Sequence, residues 1–346
     1  MLRQRVMNMK TTKIMLATLA VLSFCSCEKV IDFDPGEIEP YVVMVSRPEA
    51  DSTVNVYLSY SRFFLDGNHS GKEITDGAVT LEVNGVPATG TYVDTYSGSG
   101  RYVVNVNPQA GDSLRLTATV PGYEKTVVAA TRIPQRPRFE MTDFVIDTSE
   151  SRYYEWDSSW HKEYVYFKFR LKVKRNSPDE YYAVSIKIPD SYMSQDGVWD
   201  TTYMTTVYFE VNDPLVNTRN LEDVIDGYDG SFWGNQMTFS TEGFDGDEHE
   251  FTVEFESYIG DAYNGLEFSK IPVQVTVKAI SSELYRYNKT TQSQSDLDEL
   301  FGEPVQVYCN VEGGIGIFGA SSVKKDYLSN PRFEKFNHDG GYYYKK

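Results

Sequence analysis

Tyr164 to Lys174 reads YVYFKFRLKVK. Val165, Phe167, Phe169, Leu171 and Val173 fall on one side of a two-residue period, and Tyr166, Lys168, Arg170, Lys172 and Lys174 on the other. Such strict alternation marks a strand with one face in a core. Its aromatic and β-branched residues suit a pleated, half-buried surface. The basic side allows two readings. It pairs with acidic neighbours or faces a partner, or its lysines guard the edge of a sheet. Edge protection is the preferred expectation.

The same period recurs on both sides of this stretch. Downstream, Tyr182, Val184, Ile186 and Ile188 alternate, as do Phe251, Val253 and Phe255, and then Val273, Val275, Val277 and Ala279. Between them lie long polar stretches at 191–202 and 212–235, rich in Asp, Gly and aromatics; loops of this length are often functional. Residues 281–294 read as the one clear helix, with Ser281 as its cap and Glu283 in the acidic first turn. Upstream, residues 41–130 are short alternating strands. Asn84-Gly85 marks a tight hairpin and Pro121-Gly122 a turn. The prolines of Ile133-Pro134-Gln135-Arg136-Pro137 mark a stiff boundary. The expected fold is mainly β, with two β-sandwich-like domains and one short helix near the C-terminus. The first domain, 41–135, resembles an immunoglobulin-like or transthyretin-like module. The second, 136–346, is β-rich with long loops.

The N-terminus reads as a targeting segment. Arg3, Arg5, Lys10 and Lys13 precede the first acid, Glu28, and flank an apolar run at 14–25 that is too short to span a bilayer. Cys27 follows small Ser26, whereas Cys25 follows bulky Phe24, so residues 1–26 are expected to be a lipoprotein signal peptide. Cys27 then carries the lipid, palmitate among its acyl chains, and residues 27–40 form anchor and tether. Removing residues 1–26 takes away four basic residues and no acid, which moves the formal net charge from −17 to −21. A body this acidic is unsuited to nucleic acid or to an anionic membrane surface. Processing leaves Cys27 and Cys309, so no internal disulfide is expected. Cys309 lies in the alternating VQVYCNV and reads as a small buried hydrophobe.

No arrangement in the sequence carries catalysis. Gly314, Gly316 and Gly319 match GxGxxG, but a dinucleotide site needs that loop to open a helix inside a βαβ unit. A glycine-rich strand where backbones pack closely is the expected alternative. The acidic groups Asp223, Asp226 and Asp229, and Asp245, Asp247, Glu248 and Glu250, do not follow the spacing of a calcium loop. His69, His161, His249 and His338 are scattered, without zinc spacing. No catalytic residue, metal or cofactor is therefore expected. The candidate binding residues are exposed-looking aromatics: Trp156 and Trp160 in one stretch, and Tyr228, Phe232 and Trp233 in the long loop.

Residues 284–323, LYRYNKTTQSQSDLDELFGEPVQVYCNVEGGIGIFGASSV, resemble the C-terminal signature of a family of Bacteroidota lipoproteins, domain of unknown function 4249. EKVIDFD at 28–34, YVVMV at 41–45, GAVTLEVNG at 77–85 and GYEKTVVAATRIP at 122–134 are similar to it as well. Cys309 stands where that family more often has a small polar residue. The resemblance implies an outer-membrane location, periplasmic or at the cell surface, and company with TonB-dependent barrels. It implies no activity. The expected function is a non-catalytic accessory or ligand-capture component of TonB-dependent nutrient uptake, taking a glycan or peptide ligand. A structural or adhesive surface protein is the alternative.

Overall fold

In the computed structural model the alternation at Tyr164–Lys174 becomes one unbroken strand whose apolar side chains Phe167, Phe169, Leu171 and Val173 are fully buried. The structure describes residues 39–62, 72–94, 100–147, 164–189, 204–216, 232–258, 272–297, 306–328, 333–335 and 342–344. The signal segment with Cys27, the aromatics Trp156, Trp160 and Tyr228, the acids Asp223, Asp226 and Asp229, and His69, His161 and His338 lie outside the described residues.

The first sandwich is built from β1 (Val42–Ser46), β2 (Val54–Tyr60), β3 (Ala78–Val83), β4 (Val86–Thr89), β5 (Thr91–Val93), β6 (Arg101–Val104), β7 (Ser113–Thr119) and β8 (Val127–Arg132). The second contains β9 (Arg138–Asp147), β10 (Tyr164–Lys174), β11 (Tyr181–Pro189), β12 (Met204–Thr206), β13 (Phe209–Val211), β14 (Phe232–Gly234), β15 (Met237–Ser240), β16 (Glu248–Tyr258) and β17 (Val273–Ile280). Helix α1 (Ser282–Leu297) follows, then β18 (Ile315–Phe318), β19 (Ser321–Leu328), β20 (Phe333–Lys335) and β21 (Tyr342–Tyr344).

The sheets run β18-β1-β2-β6-β5 over β4-β3-β7-β8, and β14-β13-β16-β10-β9 over β12-β11-β17-β19, with β15 also on β11. Each pair encloses its own core. Met44, Val56, Leu81, Tyr102, Leu116 and Phe318 fill the first. Phe144, Phe167, Tyr182, Phe239, Phe251 and Val275 belong to the second. In the second core the rings of Phe144, Phe167 and Phe255 stack in sequence, with centroids 6.2 and 4.6 Å apart. The mainly β architecture with one short helix near the C-terminus is as the sequence indicates. The Asn84-Gly85 hairpin is present too, both residues at positive φ, 51° and 84°.

Four details differ from the sequence reading. First, β10 is not an edge strand: it lies between β9 and β16. Its basic side therefore meets acids across the ladder. Lys168 pairs with Glu254 at 2.5 Å, Arg170 with Glu250 at 3.0 Å and Asp143 at 3.1 Å, and Lys172 with Glu248 at 3.6 Å. Second, VQVYCNV is not a ladder strand, and Cys309 is exposed, its sulfur turned onto the backbone of Val311. Third, the glycine-rich stretch is the closely packed strand expected, but it pairs in parallel, with β1. Fourth, β18 sits on the first sheet although it follows the second sandwich in the chain.

That last strand closes the first sandwich. Glu312 bridges Val128 of β8 in antiparallel fashion, and Ile315–Phe318 then pairs with Val43–Ser46. Val311, Phe318 and Ala320 enter the first core. The glycines permit it. A Cβ on Gly313, Gly314 or Gly316 would lie 2.2 Å from Thr126 O, 2.5 Å from Val42 O or 2.1 Å from Met44 O. Backbone oxygens cannot step aside as a flexible side chain can, so only a residue without a Cβ fits.

The cross-strand ion pairs give the second sandwich an acid-sensitive component. Burial alone pushes the Glu254 carboxyl up, but hydrogen bonds from Lys168 and Tyr166 and the Lys168 charge outweigh it and hold the carboxyl below its usual range. A depressed folded-state value means the carboxylate stabilises the fold at neutral pH, and that this contribution fades as pH falls below the ordinary value of 4.5. Urea midpoints measured from pH 7 to pH 3 should drop on the acid side, and Glu254→Gln should flatten that limb while lowering the neutral plateau slightly. An unchanged acid limb in the variant would contradict the assignment.

Candidate functional site

The two sandwiches meet at a cleft of about 420 Å³, within the size range of small-ligand sites. Gly111 and three longer stretches of chain line it: Arg132 to Gln135 at the end of β8, Ser177 and Asp179 to Tyr181 entering β11, and Ile280 to Glu283 where β17 passes into α1.

Each wall is fixed by local hydrogen bonds. On the β11 side the buried Glu180 carboxylate accepts from the Asn176 N–H at 2.7 Å and from the Tyr182 hydroxyl at 2.6 Å. Burial, then the neighbouring Glu180, push the Tyr182 hydroxyl far above its ordinary value, so it stays a donor. Thr241 braces the same loop: it accepts from the Glu180 N–H at 3.1 Å and donates to Pro178 O at 2.8 Å. On the β8 side, Arg132 Nε donates to Gly111 O at 2.9 Å. At the helix, the Ser281 hydroxyl oxygen accepts from the Leu284 N–H at 3.3 Å, the cap expected from sequence, and from the Ala320 N–H at 3.1 Å. One serine thus ties the start of α1 to the corner between β18 and β19. Thr131 Oγ1 donates to Glu283 across the junction at 3.1 Å.

The chemistry on offer is polar and aromatic. Tyr181 stacks on Tyr285 of α1, with centroids 4.5 Å apart. Around it stand the carboxylates of Asp179, Glu180 and Glu283, the guanidinium of Arg132 and the hydroxyls of Ser177 and Ser282. Among the described residues neither histidine nor cysteine lines the cleft. It can accept hydrogen bonds and stack against a ring or a sugar face, and no lining residue pairs a thiol or hydroxyl with an imidazole base.

Of the aromatics picked from sequence, Trp156, Trp160 and Tyr228 lie outside the described residues. Phe232 and Trp233 open β14, opposite Val211 and Glu210 of β13, in the second sandwich. Asp245 sits in the turn before β16, while Asp247, Glu248 and Glu250 bind Arg175, Lys172 and Arg170 in turn. Among the described residues no group of three or more His, Cys, Asp or Glu could hold a metal ion. His249 Nε2 donates to Asp213 at 2.8 Å. Sequence reading missed the cleft because its parts lie about 150 residues apart: the β11–β17 pairing sets Tyr181 opposite Ile280, and the Thr131–Glu283 hydrogen bond joins the start of α1 to the end of β8. The proline-rich boundary and the Ser281 cap were both visible, but their proximity was not.

No curated protein matches the chain. A solved structure from Corynebacterium diphtheriae, of a protein described as membrane anchored, is 12% identical and covers 71% of this chain and 55% of its own, at a TM-score of 0.20. The chain therefore spans about half the length of that protein, and so distant a likeness carries no argument. The family DUF4249, a domain of unknown function, matches residues 28–326. That match takes in both sandwiches, the helix and the closing strand, and the chain belongs to this family.

Proposed function

We propose that the protein is a non-catalytic outer-membrane lipoprotein, attached through Cys27, that serves as an accessory or ligand-capture component of a TonB-dependent uptake system. The observation that carries the capture role is the cleft at the sandwich junction, with Tyr181 on its wall, backed by Tyr285, and its hydrogen-bonding groups. An aromatic face beside carboxylates suits a glycan or a peptide. The basic, apolar and small-residue pattern ahead of Cys27 supports the anchor. Tethering would raise the local concentration of the cleft near a barrel, so modest affinity for either partner would suffice.

The test is affinity purification of the tagged lipoprotein from its own envelope in mild detergent, followed by mass spectrometry. A stoichiometric TonB-dependent barrel is the expected companion, and its cargo would name the ligand. A preparation free of any barrel would overturn the stable-accessory role and favour a structural or adhesive one.

A further inference from the structure

The outward faces of the two sheets in the first sandwich differ in character. On the β3–β7 sheet the outward residues are Thr80, Glu82, Arg115 and Thr117. On the β1 sheet they are Tyr41, Val43 and Val45 down the middle, flanked by Ile315 on β18 and Tyr57 on β2, as the register Val43↔Ile315 and Val45↔Tyr57 requires. Helix α1 covers one end of this stripe: Arg47 lies over the Tyr287 ring, and Ile317 is fully buried. The other end is open. There Tyr41 is 50% exposed and Ile315 38%; Tyr57, 46% exposed, stands farther along on the β2 side, opposite Val45.

The open end is the one at which the chain enters the fold. The Tyr41 backbone is pinned to Ser61 by two hydrogen bonds of 2.8 and 2.7 Å, and the Lys125 ammonium sits 6.0 Å from the Tyr41 ring centre. Thirteen residues lie between Cys27 and Tyr41. Fully extended, they reach roughly 50 Å, and less when relaxed. An apolar patch on so short a tether meets one surface continually, that of the bilayer holding the anchor. Tyrosine with a long cationic side chain beside it is the composition favoured at a lipid–water boundary.

We propose that Tyr41, Val43, Tyr57 and Ile315 form a docking face that rests on the surface of the protein's own membrane. This rests on the Cys27 anchor proposed above. The lipid surface it fits is uncharged, since the net charge of −21 left after processing at Cys27 opposes an anionic one. The patch alone is too small to hold a protein on a membrane. The tether supplies the concentration, and the patch then selects which side of the body faces the lipid.

The experiment uses the full chain, expressed with its own leader and reconstituted into phosphatidylcholine vesicles. The background is Cys309→Ser, carrying Tyr57→Cys, Ile315→Cys or, as a control in the hairpin of the opposite sheet, Val86→Cys; Val86 is 68% exposed. Each new thiol takes an environment-sensitive fluorophore, while acylated Cys27 is unreactive. Nitroxide-bearing lipids should quench the labels at 57 and 315 several-fold more than the label at 86. Equal, water-like signals at all three positions, in protein that carries its acyl mass and floats with the vesicles, would overturn the docking face and leave the anchor standing. Protein that lacks the acyl mass would overturn both. A spectral shift that appears without vesicles and grows with protein concentration would assign the patch to a second copy of the chain and overturn the membrane assignment.

Discussion

Gly316→Ala is expected to destabilise the protein by about 3 kcal/mol or more, enough to remove much of the stability of an ordinary domain. Two effects act together. The residue holds φ at +129°, which side chains rarely adopt, and its new methyl would stand 2.1 Å from Met44 O and 2.9 Å from Met44 C. Neither atom can move without breaking the β1–β18 pairing. Gly85→Ala is the comparison, because Gly85 also has positive φ, +84°, but nothing within 4 Å. It should cost only about 1 kcal/mol, the conformational part alone. Urea denaturation of the two variants beside the parent measures both. If the two midpoints shift equally, packing at the seam contributes nothing and the account fails.

The second large effect concerns the first sandwich as a fragment. Residues 41–135, expressed alone, are expected to stay unfolded. The fragment keeps eight of the strands named above for that sandwich, yet lacks Val311, Phe318 and Ala320 from its core and leaves β1 with an open edge. Burying a side chain the size of phenylalanine is worth about 1.5–3 kcal/mol, and the smaller two add to it. The loss is of the same order as the whole stability of a domain this size. Adding a peptide of residues 306–328 should restore cooperative folding, seen as recovery of dispersed amide resonances. A fragment that folds by itself would show that β18 decorates the sandwich without completing it.

The fold class was legible because alternation is local. The period at Tyr164–Lys174, the Asn84-Gly85 turn and the Ser281 cap each depend on a few neighbouring residues, and each appears as read. What could not be read depends on pairing across the chain. Lysines on a strand mean edge protection if nothing lies alongside, and ion pairs if acids do. The acids of β16 sit some eighty residues away, so the sequence could not decide between the two. The glycines of 313–319 show a related limit. Their close packing was foreseen, but the backbones they approach, at Thr126, Val42 and Met44, were not. The cleft was hidden for the same reason, since its lining is assembled by the β11–β17 pairing and by the contact of α1 with the end of β8. Cys309 was misread because VQVYCNV alternates without finding a ladder partner, and a pattern of alternation cannot report whether a neighbour exists.

The position of β18 also sets a schedule. A ribosome adds roughly 5–20 residues per second. About 185 residues separate Ile133, at the end of the first strand set, from Phe318. For roughly 10–40 s the leading part of a nascent chain therefore has all its own strands and no closing one. During that interval the first sandwich lacks Phe318 in its core and the partner strand along β1. Only a chain that has been made nearly to its end holds the piece that locks its beginning, so completeness of synthesis and completion of the fold arrive together.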